Sequence, residues 1–542
     1  MNILNTLTQL QNDELVHPDK DESSDYIFKH ALTHETAYHS LLKTQRRDLH
    51  RATAQAIEQT FPNRKGQLSA VLAYHWEQAE VPDRARRYLY RAAQDAMRRY
   101  ANQEALAFFA RALAQRNGAK PDELLALYES RARIFEFLSQ YAQAIDDYQA
   151  ALPLAREAHR EIDECRILSQ IAWMYSLSGR GEEAVQTAIE VETRARALQD
   201  HTAMLRAYLV QGLVAQAKGH LADAYPRLRA ALIASRASDE PVMEGESWFY
   251  LGIENNFMGR FGRAAACAQK AHTLKKGLSD RVGEIVTLYL LARAEGGRGN
   301  YDAALDALEH GRAIANEIRN PFGLAQYPNT RAWLAAELGD WQTAYELDRA
   351  GLDIARHAPI RPPEISTLIN LVLDCVALGK LDEAETYVLD AQQWMGKPEF
   401  GFHAWRWETR LTDARARLLI AHQLYDDAAP LVIELLDWAE RTQSTKYRAR
   451  GLVLRAHIHL ATNDLARAEN DLQIARHLGD VMNYIPLQIQ ARRLLAGVCA
   501  GNAAQQYRVE ATRIVDDLGK RLEQSALQKS FECGIGTVKN VA

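Results

Sequence analysis

From about residue 66 to residue 528 the apolar positions recur with the 3.6-residue spacing of amphipathic helices, and proline is scarce inside the periodic stretches, so helix should dominate this span. A longer period lies over the short one. An alanine returns every 40 residues, at Ala144, Ala184, Ala224, Ala264, Ala304, Ala344 and Ala384. Three residues before it stands a large apolar residue, Tyr141, Leu221, Phe261, Tyr301, Trp341 or Leu381, with Gly181 the exception. Two positions earlier again comes glycine, Gly179, Gly219, Gly259, Gly299, Gly339 and Gly379, with Ser139 in the first unit. Glycine tolerates the left-handed backbone that ends one helix, and the large residue anchors the start of the next. Twelve residues before each alanine a second small residue recurs, Ala132, Ala172, Gly212, Gly252, Ala292 or Ala332, with Val372 breaking the rule. Two small residues on facing helices let their backbones approach. The predicted unit is a helical hairpin too small to bury its own apolar face, which shares one long core by stacking.

The pattern slips once and resumes. The next alanine, Ala428, comes four residues late, and Ala468 restores the 40-residue step. The insertion falls in KPEFGFHAWRWETR, where Phe400, Phe402, Trp405 and Trp407 look exposed and mark a seam near residues 397–410. Upstream, VPDRARRYLYRAAQDAMRRY and YANQEALAFFARALAQ read as a degenerate start of the stack. The first sixty residues differ. A short leucine helix is followed by two brief segments, ELVH and DYIFKH, around the polar run PDKDESS, and then by a long helical stretch. Two strands about a loop with a helix behind them make the wing and trailing helix of a winged-helix domain whose start is missing. The expected divisions are a partial winged helix over 1–60, irregular helical repeats over 61–120, regular repeats over 121–480 and a helical cap and tail over 481–542.

In SWFYLGIENNFMGRFGRAAACAQKAH, Trp248, Leu251, Gly252, Phe261, Ala264 and Ala271 fall at the spacings of the tetratricopeptide signature. The chain resembles a tetratricopeptide protein with a period of 40 rather than about 34 residues, each hairpin lengthened by about a helical turn. The resemblance implies an all-α, right-handed α-solenoid, a superhelix of long hairpins, with the small winged-helix segment at its N-terminus. A second resemblance rests on FKHALTHETAYHSLLKTQRRDLHR, some 35 residues with its surroundings, and on AYHWEQAEVPDRARRYLYRAAQDA. These are similar to the stretch joining nucleotide-binding module and repeats in multidomain signal-transduction ATPases (STAND/AAA-type), including those fused to class III adenylate or guanylate cyclases. In that family the repeats act as sensor or scaffold. This chain departs from it by lacking any G-x-x-x-x-G-K-[ST], and with it the cradle for nucleotide phosphates.

Composition narrows the function classes. Lys+Arg 65 against Asp+Glu 70 leaves no global field to attract nucleic acid or an anionic membrane. Cys165, Cys267, Cys375, Cys499 and Cys533 lie far apart without CxxC pairing, which suits reduced thiols packed as small hydrophobes. The N-terminus has neither the basic start nor the apolar run of an export signal, and no stretch approaches the roughly 20 apolar residues of a membrane helix. A cytoplasmic protein is expected, with no membrane partner and no cofactor.

Candidate chemistry is sparse. His34-Glu35-Thr36-Ala37-Tyr38-His39 falls short of HExxH, because Tyr38 occupies the position of the second ligand, so no metal is expected. By the ATPase resemblance His30 could sense nucleotide phosphates only on a domain from another chain. No G-x-S-x-G elbow or paired carboxylate suggests catalysis, and no catalytic residue is assigned. Arg46, Arg47 and Arg51 on one helix read as a solvated face, and nucleic acid is not the expected partner. The functional surface is expected on the inner face of the superhelix. By the tetratricopeptide resemblance that face carries Trp173, Leu213, Phe249, Ile253, Tyr289, Trp333 and Ile369, joined by Arg133, Arg166, Arg206, Arg293, Arg410, Arg417 and Arg450. Arginines could take carboxylates bidentately while the aromatics anchor a peptide or partner helix; the plainer reading is packing between adjacent hairpins. The expected function is a non-catalytic scaffold or sensor of an ATPase or cyclase system, binding a protein or peptide. The alternative is a regulatory subunit for a separate P-loop ATPase or cyclase chain, with transcriptional regulation the weaker third.

Overall fold

The computed structural model describes residues 3–18, 26–64, 66–99, 101–138, 140–357, 362–395 and 404–536. Its contacts divide the chain into two compact units, residues 1–167 and 168–542. The division falls inside the helix Glu161–Leu177.

In the first unit the two expected strands are present, Val16–Pro18 and Tyr26–Phe28, paired antiparallel with Val16 opposite Phe28. The long helix expected behind them is two helices, Ala31–Ser40 and Lys43–Thr60. Leu41 and Leu42 take extended backbone between them, and the second helix starts with Gln45 Oε1 accepting the Leu42 N–H at 3.0 Å. The helix Ala31–Ser40 buries no residue. The core lies further on, where Leu72, Trp76, Leu89 and Phe109 pack together. The Glu58 carboxylate accepts from Trp76 Nε1 at 3.1 Å and from the Tyr88 hydroxyl at 2.7 Å, so the polar edges of this aromatic core are satisfied.

The 40-residue period has a simple mechanical origin. From Pro121–Phe137 and Tyr141–Glu157 onward the helices run mostly to 17 residues, and a three-residue turn brings the next start to 20. Two such steps make the period. Every repeat alanine, from Ala144 to Ala384 and again at Ala428 and Ala468, is 0% exposed, so each position has no room for a larger side chain without movement of the facing helix. The turn glycines from Gly179 to Gly379 all have φ between 73° and 79°, the left-handed conformation their spacing predicted. Ser139 lies outside the described residues.

The second unit does something the repeat alone does not announce. Its later helices, from Ala404–Ala421 through Tyr425–Arg441, Thr445–Ala461, Leu465–Met482 and Ile485–Val498 to Gly501–Leu522, pack back against the turns of the earlier ones. Trp405 Nε1 donates to the Gln216 carbonyl at 3.0 Å, Ser444 Oγ to the Phe257 carbonyl at 2.9 Å, and Asn483 Nδ2 to the Arg298 carbonyl at 3.1 Å. At the end of the chain the Ile535 N–H donates to the Leu338 carbonyl at 2.8 Å. Glycine serves this closure too. A Cβ on Gly259 would stand 2.6 Å from Met482 Sδ, and one on Gly299 2.3 Å from Ile485 Cδ1, whereas Gly179 and Gly379 have nothing within 4 Å.

This return corrects the reading of the seam. Trp405 and Trp407 are buried, each 5% exposed. Trp405 packs with Leu221, Met258, Phe257 and Trp438, and so fastens the second pass to the first. An apolar cluster at a break in the repeat looked exposed because its partner lies nearly two hundred residues away in the chain. Phe400 and Phe402 lie outside the described residues. Cys165, Cys267 and Cys375 are buried free thiols, Cys499 is half-buried and Cys533 exposed. Among the described residues no helix is long and apolar enough to cross a membrane.

Candidate functional site

One column of the repeat leads to the site. Eleven residues before the repeat alanines stand Arg133, Trp173, Leu213, Ile253, Arg293, Trp333, Leu373, Arg417 and His457. The surroundings of this column change along the chain. Arg133 is exposed, Trp173 and Ile253 are half-buried, and Leu213 is fully buried against Leu209 and Leu228. From Arg293 onward all five line a single cavity of about 810 Å³ in the second unit.

The remaining candidates scatter. Arg166 is exposed, and Arg206 Nη1 donates to Ser169 Oγ at 3.3 Å. Phe249 is half-buried, edge-on to Tyr250. Tyr289 is buried in the apolar core with its ring against Phe322, and Ile369 is 0% exposed in a neighbouring cluster. Arg410 and Arg450 join Arg293 and Arg417 in the cavity wall.

The second pass supplies most of the charge. Arg406, Arg410 and Arg417 lie on the helix Ala404–Ala421, at spacings that put them on one face. Lys446, Arg450 and His457 repeat that spacing 40 residues later on Thr445–Ala461. The two stripes meet Arg293, whose guanidinium stacks on the Trp333 ring at 5.4 Å. Lys446 Nζ lies 4.7 Å from the centre of the Tyr484 ring and 5.7 Å from that of Trp333. Arg406 stacks on Trp407 at 4.4 Å in a small recess that shares Arg293, Trp333, Arg410, Lys446 and Tyr447 with the main cavity.

These cations are incompletely neutralised. Asp413 serves two of them, accepting from Arg417 Nε at 3.1 Å and pairing with Arg450. Lys446 has Glu337 at 4.0 Å, a carboxylate already bound by the Tyr484 hydroxyl at 2.6 Å. Arg410 donates to Ser366 Oγ and Asn370 Oδ1, both at 2.8 Å, and both are neutral. Among the described residues Arg293, Arg406 and Arg410 have no carboxylate partner. Two further carboxyls nearby give little help. Asp348 and Asp374 are each 1% exposed, and burial holds both well above the usual carboxylate range, Asp348 further raised by Asp374 beside it.

The electrostatic consequence is visible in the cations themselves. Burial, reinforced by the neighbouring Arg293 and Arg410, pushes Arg406 down to about 9. Burial lowers Arg410 to about 10 and Lys446 to about 8, in the latter against the pull of Glu337. Arg450 alone is raised, because Asp413 outweighs the burial that works against it. A guanidinium keeps its charge in proteins, so the arginines remain cations. Lys446 and Arg450 lie deep in the protein yet keep 14% and 19% of their side-chain surface accessible, because they face the cavity. The wall of the cavity thus sets side-chain cations beside the aromatic rings of Trp333, Tyr447 and Tyr484.

Sequence reasoning missed Arg406, Lys446, Tyr447 and Tyr484. A signal was present in the twice-repeated basic spacing 406, 410, 417 and 446, 450, 457. Elsewhere, His34 stacks on Tyr38, and among the described residues no group of three or more His, Cys, Asp or Glu side chains is placed to hold a metal. Arg46 sits over the Tyr38 ring at 5.2 Å, and Arg47 faces Glu80 at 3.8 Å.

No family model and no curated protein matches the chain. Several solved structures are similar in part. The apo form of RapI aligns with a TM-score of 0.45 at 13% identity, covering 65% of this chain and 97% of its own. A STAND protein with a tetratricopeptide-repeat sensor from Pyrococcus horikoshii aligns at 0.46 and 15%, covering 73% and 59%. The apo quorum sensor NprR from B. thuringiensis aligns at 0.41 and 16%, covering 64% and 97%.

Proposed function

We propose that this chain is a non-catalytic sensing and interaction module whose ligand, a peptide or a protein segment, is held on the inner face of the second unit. The carrying observation is the cavity of about 810 Å³ walled by Arg293, Trp333, Arg417 and the basic stripes of the second pass. A cavity of this size matches the roughly 300–1,000 Å³ of ligand pockets, which suits a short segment. Among the described residues of the wall no hydrogen bond joins Cys533 to His457, the pairing that nucleophilic catalysis would need. Binding then acts through the closure. A ligand bridging Arg293 on the first pass and Lys446 on the second stabilises the closed arrangement by as much as it prefers it.

A cytoplasmic signalling role beside a separate ATPase or cyclase chain is the wider form of this reading. It draws on the segment 28–51 and on the apolar side chains Ile27, Phe28, Leu32 and Leu42, exposed in the first unit. These offer a docking face for such a chain. The test is affinity capture on the full chain and identification of what is held, followed by capture on Arg293→Gln and Trp333→Ala. Loss of the captured partner on both supports the inner-face site. An unchanged affinity removes it.

A further inference from the structure

The cavity in the second unit has a sign as well as a size. Arg293 makes no hydrogen bond or ion pair among the described residues; its face is used in stacking on Trp333, which leaves the in-plane N–H donors of its fork for something else. Arg406 is in the same condition over Trp407. Arg410 reaches only neutral oxygens, and Lys446 shares a carboxylate that a tyrosine already holds. Like charges gathered in a protein interior repel one another and are poorly solvated, and removing a counter-charge from such a place is costly. Here the counter-charge is what the protein lacks. A neutral ligand would leave the repulsion in place and a cation would add to it.

We propose that the cavity takes a small polyanion, a molecule with two or more carboxylate or phosphate groups. Its charged groups are received by Arg293, Arg410 and Lys446, with Arg406 in the small recess beside them, and its flat or apolar part lies against Trp333 and Tyr447. Guanidinium forks match both kinds of oxyanion in bidentate geometry, so the shared chemistry is multiple closely spaced oxyanions. This rests on the reading of the inner face as a binding site and names the class of ligand it selects. A short acidic peptide satisfies it, and so does a nucleotide or a tricarboxylic acid.

The experiment is calorimetric titration of the full chain, at one ionic strength, with citrate, hexaglutamate, pyrophosphate and ATP, against trehalose and hexalysine. We expect one-to-one saturable binding of at least one anion, none of trehalose or hexalysine, and at least a tenfold loss of affinity in Arg293→Gln and in Arg410→Gln. Citrate and hexaglutamate against pyrophosphate and ATP separates carboxylate from phosphate. Arg410→Lys, which keeps the charge and loses the fork, should fall between wild type and Arg410→Gln. A second measurement needs no variant: the bound anion should slow acylation of Lys446, read by peptide mass mapping. Saturable binding that leaves Lys446 unprotected, binding indifferent to both glutamine variants, or no saturable anion binding would each overturn the proposal. If a partner is captured through Arg293 and Trp333 while every anion fails, the ligand class is wrong and the sensing reading stands. If an anion binds as expected and no macromolecule is captured, the ligand class stands without a peptide partner.

Discussion

Arg133 and Arg293 hold the same place in the repeat, eleven residues before Ala144 and Ala304, yet the first is exposed in unit one while the second walls a cavity in unit two. Arg133 meets solvent. Around Arg293 the chain has returned, and the helices from Ala404–Ala421 onward lie across the turns they once followed. The two units share a construction rule and differ in what covers it. In the first, charges of the repeats find carboxylate partners, for example Arg131 with both oxygens of the buried Asp147 at 2.8 and 2.6 Å. In the second, several cations go without carboxylates, an arrangement that costs stability and is understandable where a ligand supplies the missing charge.

The sharpest way to break this contrast is to unfasten the return. Trp405→Ala removes a buried indole that stacks on Trp438 at 6.4 Å and bonds to Gln216, and should destabilise the second unit by about 3–5 kcal/mol in urea unfolding. Proteolysis should then begin in the second pass; an unaffected urea midpoint would mean that the closure is not held here. Next in size is a matched pair. Ala144→Leu and Ala304→Leu each overfill a fully buried seam and should cost about 1–3 kcal/mol, the first in the transition of unit one and the second in that of unit two. If both variants shift one common transition, the units do not behave separately.

Smaller effects probe the charged interior, and their dependences on pH are opposite in sign. Lys446→Met should stabilise the protein at pH 7 by about 1–3 kcal/mol, because an apolar side chain replaces a buried, under-paired ammonium. Lys446 is depressed to about 8 when folded and returns to roughly 10.4 when unfolded. Wild-type stability should therefore rise with pH across that window, and the variant should lack the rise. Asp374→Asn acts in the other direction of pH. Because burial raises the folded Asp348–Asp374 pair, wild-type stability falls as pH climbs above the ordinary carboxylate range, so the advantage of asparagine should grow from pH 4 to pH 8 in thermal melts. Least of all, Arg133→Gln on the exposed counterpart should change stability by no more than about 0.5 kcal/mol. A large loss there would show that the column is covered in unit one as well.

Much of the hairpin was legible. The alanines, the turn glycines and the large residue that opens each second helix are local requirements of helix ends and close helix packing, so they leave a fixed interval in the sequence. The two strands at Val16–Pro18 and Tyr26–Phe28 were legible as two brief segments on either side of a polar run. The candidate site was legible only in pieces. Arg293, Trp333, Arg410, Arg417 and Arg450 were singled out as inner-face residues, but so were Leu213, Tyr289 and Ile369, which lie in apolar cores. Inner-face position is a matter of angle about one helix. Whether that angle meets solvent, a neighbouring hairpin or another pass of the chain depends on the pitch accumulated over many repeats, which no single interval encodes.

The sequence by itself therefore determined the unit: a 17-residue helix, a three-residue turn, and an alanine where two helices touch, because these follow from contacts between residues close in the chain. The tertiary structure decided what the inner column is for. Trp405 against Gln216, Tyr484 against Glu337 and Ile535 against Leu338 join residues 147 to 197 positions apart. Only those closures turn a row of arginines into the wall of a cavity, since burial is a property of the finished surface and belongs to no residue alone.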